Sequence, residues 1–226
     1  MTDLNNIKLK NVDSEDISDV LLKIEKSFGI KFGKTELNHV KTFGELCDTI
    51  KSKVQGDSLS DCTTQQAFYK LRNAIAETQL SNKESITPDT KLQVLFPRQN
   101  RRKNILQTEK ILGFKTKVLR PKHWISGTFV LILVGSFVGL FFIWKIFLLV
   151  FISSIIGLSI ANKFGIEFDL QTMGQFAEKI SRENYLKSRR NKATVNKNEI
   201  EQKVRELFSS DLYLDENVLK REATFN

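Results

Sequence analysis

Two aspartate–serine pairs, Asp13–Ser14 and Asp57–Ser58, are the residues of this sequence best placed to do chemistry. An Asp–Ser pair that opens a helix caps its free amides, and the positive end of the helix dipole then favours an anion beside the serine. The other reactive side chains are few. Cys47 and Cys62 stand alone, in neither a metal-ligand nor a CxxC spacing, and His39 and His123 are the only histidines. These residues form no Ser/His/Asp set, no paired-carboxylate motif, no phosphate-cradling glycine loop and no metal motif, so the sequence reads as a non-enzyme without a metal. Both histidines are expected at a surface or an interface.

The serines sit in charged, water-soluble sequence, which flanks one strongly apolar stretch. Residues 124–161 contain a single ionisable side chain, Lys145. Residues 125–144 give about 20 residues of helix, enough to cross roughly 30 Å of hydrocarbon, and 146–161 give about 16. One unbroken helix would reach about 57 Å, nearly twice the core thickness, so a transmembrane hairpin reversing at Trp144 and Lys145 is expected. Lys145 would then snorkel to headgroups, with Trp124 and Trp144 in opposite interfacial belts. The alternative, a buried hairpin of a soluble protein, would need more covering protein than so small a chain supplies. Gly127, Gly135, Gly139 and Gly157, with Ser126, Ser136, Ser153 and Ser154, offer small faces for close helix contact.

Charge sets the expected orientation. Arg101, Arg102, Lys103, Lys110, Lys115, Lys117, Arg120 and Lys122 precede the apolar stretch, and Lys163, Lys179, Arg182, Lys187, Arg189 and Arg190 follow it. Basic residues on both flanks predict both flanks, and with them both termini, on the cytoplasmic side. The net charge of +9 is gathered around the membrane segment and forms no stripe with interleaved aromatics, so the bilayer and not nucleic acid is the expected partner. The start, MTDLNNIKLK, has no basic-then-apolar pattern and no small-residue cleavage site, so insertion is expected to rely on the internal hairpin.

The soluble sequence repeats itself. FGIKF at 28–32 is followed by KTFGELCDTI at 41–50, and FGIEF at 164–168 by QTMGQFAEKI at 171–180. A second element pairs an amphipathic helix with a threonine-containing loop. One copy is TTQQAFYKLRNAIAETQL with ITPDTKLQVLF, and the other is NEIEQKVRELFSSDLYL with LKREATFN. Ala67, Phe68, Leu71 and Ile75 share one helical face, as do Ile200, Val204, Leu207 and Phe208.

These elements resemble the two halves of an acyl carrier protein, a four-helix bundle in which a serine opening the second helix holds 4'-phosphopantetheine. The resemblance covers residues 13–54. Asp13–Ser14 opens DSEDISDVLLKIEKSFGIKF, Phe28 falls at the family spacing, and Thr42-Phe43-Gly44 matches the opening of the last helix. It implies Ser14 as the attachment site, with the thioester chemistry carried by the arm and not by the protein. Glu15 stands where the family has a leucine that helps partner enzymes dock, and Lys23 and Lys26 interrupt a surface that is acidic in carriers. A plain helix cap would use the same Asp–Ser pair. GDSLS at 56–60 matches the family tetrapeptide and makes Ser58 the alternative attachment site, but no Phe-Gly-Ile end follows at the required distance, and it reads as linker and cap before the next helix. The second copy has Gln99 and Asn100 near the expected serine, so no arm can attach there. Arg98, Arg101, Arg102 and Lys103 beside them fit anionic lipid headgroups, an acidic partner or a solvated positive-inside flank equally well.

The expected fold is therefore all-α, with acyl-carrier-like helical bundles and a two-helix transmembrane hairpin. Residues 1–55 are read as second to fourth carrier helices, 56–122 as degenerate carrier-like helices, 123–162 as the hairpin, 163–186 as a carrier-like repeat element and 187–197 as a polar linker. Residues 198–226 are expected to complete the first bundle, as in a circular permutation. The resemblance implies a membrane-anchored carrier that hands an acyl or related group to acyl-transfer or biosynthetic enzymes. The alternative is a membrane scaffold or adaptor whose bundles have lost the arm.

Overall fold

The computed structural model describes residues 12–79, 82–139 and 144–225. Of these described residues 62% are helix and 6% strand, in keeping with an all-α fold. The described elements run α1 (Ser14–Phe28), α2 (Phe43–Lys53), β1 (Asp57–Ser58), α3 (Thr63–Gln79), α4 (Leu92–Leu95), α5 (Arg101–Leu112), β2 (Leu119–Arg120), α6 (His123–Gly139), α7 (Trp144–Lys163), β3 (Glu167–Phe168), α8 (Met173–Glu183), α9 (Tyr185–Ser188), β4 (Thr194–Val195) and α10 (Ile200–Leu212). They form two compact units. Met1–Asn73 with Phe176–Asn226 make the first, and Ala74–Gln175 make the second. The divisions fall inside α3 and α8, not at the expected borders after 55 and 186.

The first unit is built from segments far apart in sequence. Ile24 and Phe28 of α1, Phe43, Leu46 and Ile50 of α2, and Ile200, Val204, Leu207 and Phe208 of α10 share one buried core. The Phe43 and Phe208 rings meet edge to face at 5.5 Å, a favoured aromatic geometry. Local signals set the helix ends. Asp13 caps α1, and Gly29 closes it at φ 65°, a left-handed conformation that costs glycine little. Thr42 and Glu45 form a reciprocal capping box at the start of α2.

The repeated threonine–apolar–glycine openings have one physical cause. In the first unit Phe43 N–H donates to Ala223 O at 2.8 Å and Gly44 N–H to Arg221 O at 2.9 Å. In the second, Met173 N–H donates to Thr90 O at 3.0 Å and Gly174 N–H to Pro88 O at 2.7 Å. Each glycine lets a loop backbone lie against the first turn of a helix. A Cβ on Gly44 would meet Arg221 O at 3.0 Å, and one on Gly174 would meet Pro88 O at 3.3 Å. The adjacent residues form antiparallel bridges, Thr42 with Thr224 and Lys91 with Thr172.

The run 187–197 is no linker. Thr194–Val195 pairs in parallel with Asp57–Ser58, and Ser188 and Arg189 are buried. The Arg189 guanidinium donates to the Thr63 hydroxyl at 2.8 Å, to Thr194 and to the Asp61 carboxylate. That pairing permits a polar run to be internal, because a buried charge is tolerated when it is neutralised and hydrogen-bonded.

In the second unit α6 and α7 pack against each other as an antiparallel pair. Phe147 closes over Gly139 and Phe129 over Gly157, and neither glycine has room for a Cβ. The 20 residues of α7 span about 30 Å, and an 18-residue stretch of it has a mean hydropathy of 2.1 with 6% buried, so this helix is long and apolar enough to cross a membrane. The described part of α6 has 17 residues, about 26 Å. Trp144 and Lys145, expected at the reversal, instead stand in the first turn of α7, and residues 140–143 lie outside the described residues. A 16-residue second span is replaced by a longer one because the helix continues through Trp144 at one end and Asn162–Lys163 at the other.

Candidate functional site

Ser14 is the first residue of α1 and is exposed. The cap is its neighbour: Asp13 Oδ1 accepts from Glu15 N–H at 3.4 Å and from Ser14 Oγ at 3.3 Å. The serine is thus freed from capping and presented beside the first-turn amides. Ile17 and Leu21, one and two turns further along the same face of α1, line an apolar cavity of about 140 Å³. Leu37 and Val40 from the α1–α2 loop, Leu46 from α2 and Phe225 complete its walls. The arrangement puts an accessible hydroxyl at one end of a helix face that leads into an apolar hole.

Three carboxylates hold the loop that carries Leu37 and Val40. Lys31 Nζ and the Phe32 N–H, each at 2.7 Å, hold the Glu25 carboxyl below the usual carboxylate range. Glu36 is lowered by the Gly33 N–H and by Lys53, and Glu45 by the Lys41 and Thr42 N–H groups. Carboxyls lowered in the folded state add stability above their unfolded pKa, and that stability is lost as pH falls through the folded value. Urea unfolding of the first unit, followed by amide exchange in α1 and α2, is therefore expected to be flat from neutrality to about pH 5 and to weaken below about pH 4. Greater stability on acidification would contradict these roles.

Ser58 is exposed but lies in β1, not at a helix opening, and α3 begins only at Thr63. The Asp57 N–H donates to Ala193 O at 2.9 Å and the Leu59 N–H to Val195 O at 2.8 Å, so GDSLS is strand and not the expected cap. Gly56, at φ 138°, is required there because a Cβ would meet Ala193 O at 2.7 Å.

Gln99 and Asn100 precede α5, where Asn100 takes the N-cap position without a side-chain cap bond. The basic cluster beside them is partly internal and not simply a solvated flank. Arg101 is buried, donates to Phe96 O at 3.0 Å and Ile166 O at 2.7 Å, and stacks 4.6 Å over the Phe168 ring. Arg98 pairs with Glu167 at 2.9 Å. Cys47 is buried and its thiol is pushed up to about 12, chiefly by desolvation, whereas Cys62 is exposed. Among the described residues no group of three His, Cys, Asp or Glu side chains could hold a metal ion.

Sequence reasoning missed Leu37, Val40 and Phe225 as cavity walls and Arg189 as a buried charge. The first two lie in a loop without periodicity, and the pairing of Arg189 with Asp61 spans 128 residues. Ile17 was within reach of periodicity, since it precedes Leu21 by one helical turn. No protein-family model, no curated protein and no solved structure matches the chain.

Proposed function

We propose that this protein is a membrane-anchored carrier of acyl-carrier type, with 4'-phosphopantetheine on Ser14 and a thioester-bound group handed to acyl-transfer or biosynthetic enzymes at the cytoplasmic membrane surface. The observation that carries the reading is the exposed Ser14 hydroxyl at the opening of a capped helix whose same face lines an apolar cavity. An apolar cavity of roughly 150 Å³ accepts a benzene-sized guest, so a cargo group of about six carbons suits this one. Intact-mass measurement after co-expression with a broad-specificity phosphopantetheinyl transferase tests it. A gain of one arm supports the carrier, and an unchanged mass leaves the adaptor reading. The adaptor is favoured by one feature, the second unit, where α5 opens on Arg101 and Arg102 with no serine.

The anchor in this reading is a transmembrane hairpin of α6 and α7, with both termini cytoplasmic. Support comes from the antiparallel pair, its exposed apolar surface and the basic residues on both flanks. Labelling of intact cells with an impermeant maleimide checks it. With Cys62→Ser as background, Cys47 is buried and protonated at neutral pH, so only introduced thiols report. Lys145→Cys is expected to label from outside, and Lys34→Cys and Lys192→Cys only after lysis. Outside labelling of Lys192→Cys with Lys34→Cys protected would mean a single crossing by α7.

A further inference from the structure

At the base of the α6–α7 pair, within the second unit, lies a cleft of about 520 Å³ that the carrier reading does not use. Four of its lining residues are cationic, Arg102, Lys115, Lys117 and Lys163, and only one is acidic, Glu109. Glu109 is committed elsewhere. Its Oε1 accepts from Thr116 N–H at 2.6 Å and from Thr116 Oγ1 at 2.7 Å. That clamp holds a turn in which Lys117 takes φ 48°, a left-handed conformation rare for a non-glycine residue. The nearby carboxylates are also engaged, Glu167 with Arg98 and Arg101, and Asp169 with Arg120.

Arg102 is fixed in place. Its Nη1 donates to Lys163 O at 2.6 Å, the last residue of α7, and its guanidinium lies 4.6 Å over the Phe164 ring. The cleft therefore combines one rigid guanidinium with three ammonium groups, a pattern that recognises phosphate. Apart from Asn162 and Gly165 its other walls are apolar, Ile105 and Leu106 of α5 with Val118 and Leu119. It opens where α7 ends, the end at which α6 begins and carries Trp124 in its first turn, itself 67% exposed. From that level the exposed apolar surface of both helices continues, with Leu131 74% and Leu149 70% exposed. A free phosphate would leave such a cleft mostly empty, whereas an amphiphile fills both its parts.

We propose that this cleft binds the phosphate headgroup of an anionic phospholipid whose acyl chains lie along α6 and α7. The inference rests on the membrane reading of that helix pair. The test uses the full chain in detergent micelles, titrated by native mass spectrometry with phosphatidylglycerol and with phosphatidylcholine of the same chains. The first phosphatidylglycerol is expected to bind at least about tenfold more tightly than phosphatidylcholine. Lys115→Gln with Lys117→Gln, both at exposed positions, should weaken phosphatidylglycerol about 25-fold, on the scale of about fivefold per lysine near an anionic lipid. Lys34→Gln with Lys220→Gln should change nothing. Equal retention of the two lipids, or an equal loss in the control pair, overturns the proposal. Displacement of the lipid by millimolar inorganic phosphate would assign the cleft to a free anion and overturn it too. Alkaline carbonate extraction of membranes separates the two claims: release of the protein sinks the membrane reading and the cleft together, while retention without headgroup selectivity sinks the cleft alone.

Discussion

Ser14→Ala will abolish the mass gain of one phosphopantetheine arm, and Ser58→Ala will leave it intact. Both serines follow an aspartate and both are exposed, so access does not separate them. The backbone does. Ser14 stands at the start of a 15-residue helix, where free amides and the dipole stabilise an adjacent anion by about 0.3–1 kcal/mol at an exposed site. Ser58 lies in a strand paired to Val195, with no helix end to receive a phosphodiester. The Asp13 cap makes the first site usable, because it leaves the Ser14 hydroxyl outside the capping role. The measurement is intact mass of each variant after co-expression with the transferase. A gain that survives Ser14→Ala and disappears in Ser58→Ala would move the assignment to the strand.

Phe208→Ala will strongly destabilise the first unit. Its ring is fully buried, meets Phe43 at 5.5 Å and Phe225 at 6.0 Å, and sits in the core shared by α1, α2 and α10. Truncating such a ring costs about 3–5 kcal/mol when the cavity does not collapse. Global opening should then accelerate amide exchange by roughly 10²- to 10³-fold or more in α1, α2 and α10 together. The coincidence of the three helices is the informative part. Faster exchange confined to α10, with α1 unchanged, would show that the helices do not open as one unit.

The distribution of apolar residues made some of this architecture legible. The stripe of Ile200, Val204, Leu207 and Phe208 lies on only about three helical turns, too few to stand alone in water, so a partner was required. The first unit's helices, with Ile24, Phe28 and Leu46, presented a matching apolar set, and the structure buries all of these in one core. The glycines of the repeated openings were visible as a pattern, but their cause was not, since it lies in loop carbonyls at Arg221 and Pro88. Polar burial was illegible for a different reason. Composition reports the cost of burying Arg189, and only the fold reveals Asp61, Thr63 and Thr194 around it. At the candidate site the hydroxyl was found from the Asp–Ser spacing, whereas the hole beside it depends on a loop that has no period to read.

Because α10 closes a core begun by α1 and α2, this unit carries a clock in its own synthesis. Roughly 150 residues separate α2 from α10, about 7–30 s of chain synthesis. During that interval the ribosome delivers the whole α6–α7 pair, while Phe28, Phe43 and Ile50 await their last cover. The apolar α6–α7 pair thus emerges before the serine-bearing unit can mature, and nascent chains that stall short of α10 expose an apolar face to chaperones and proteases.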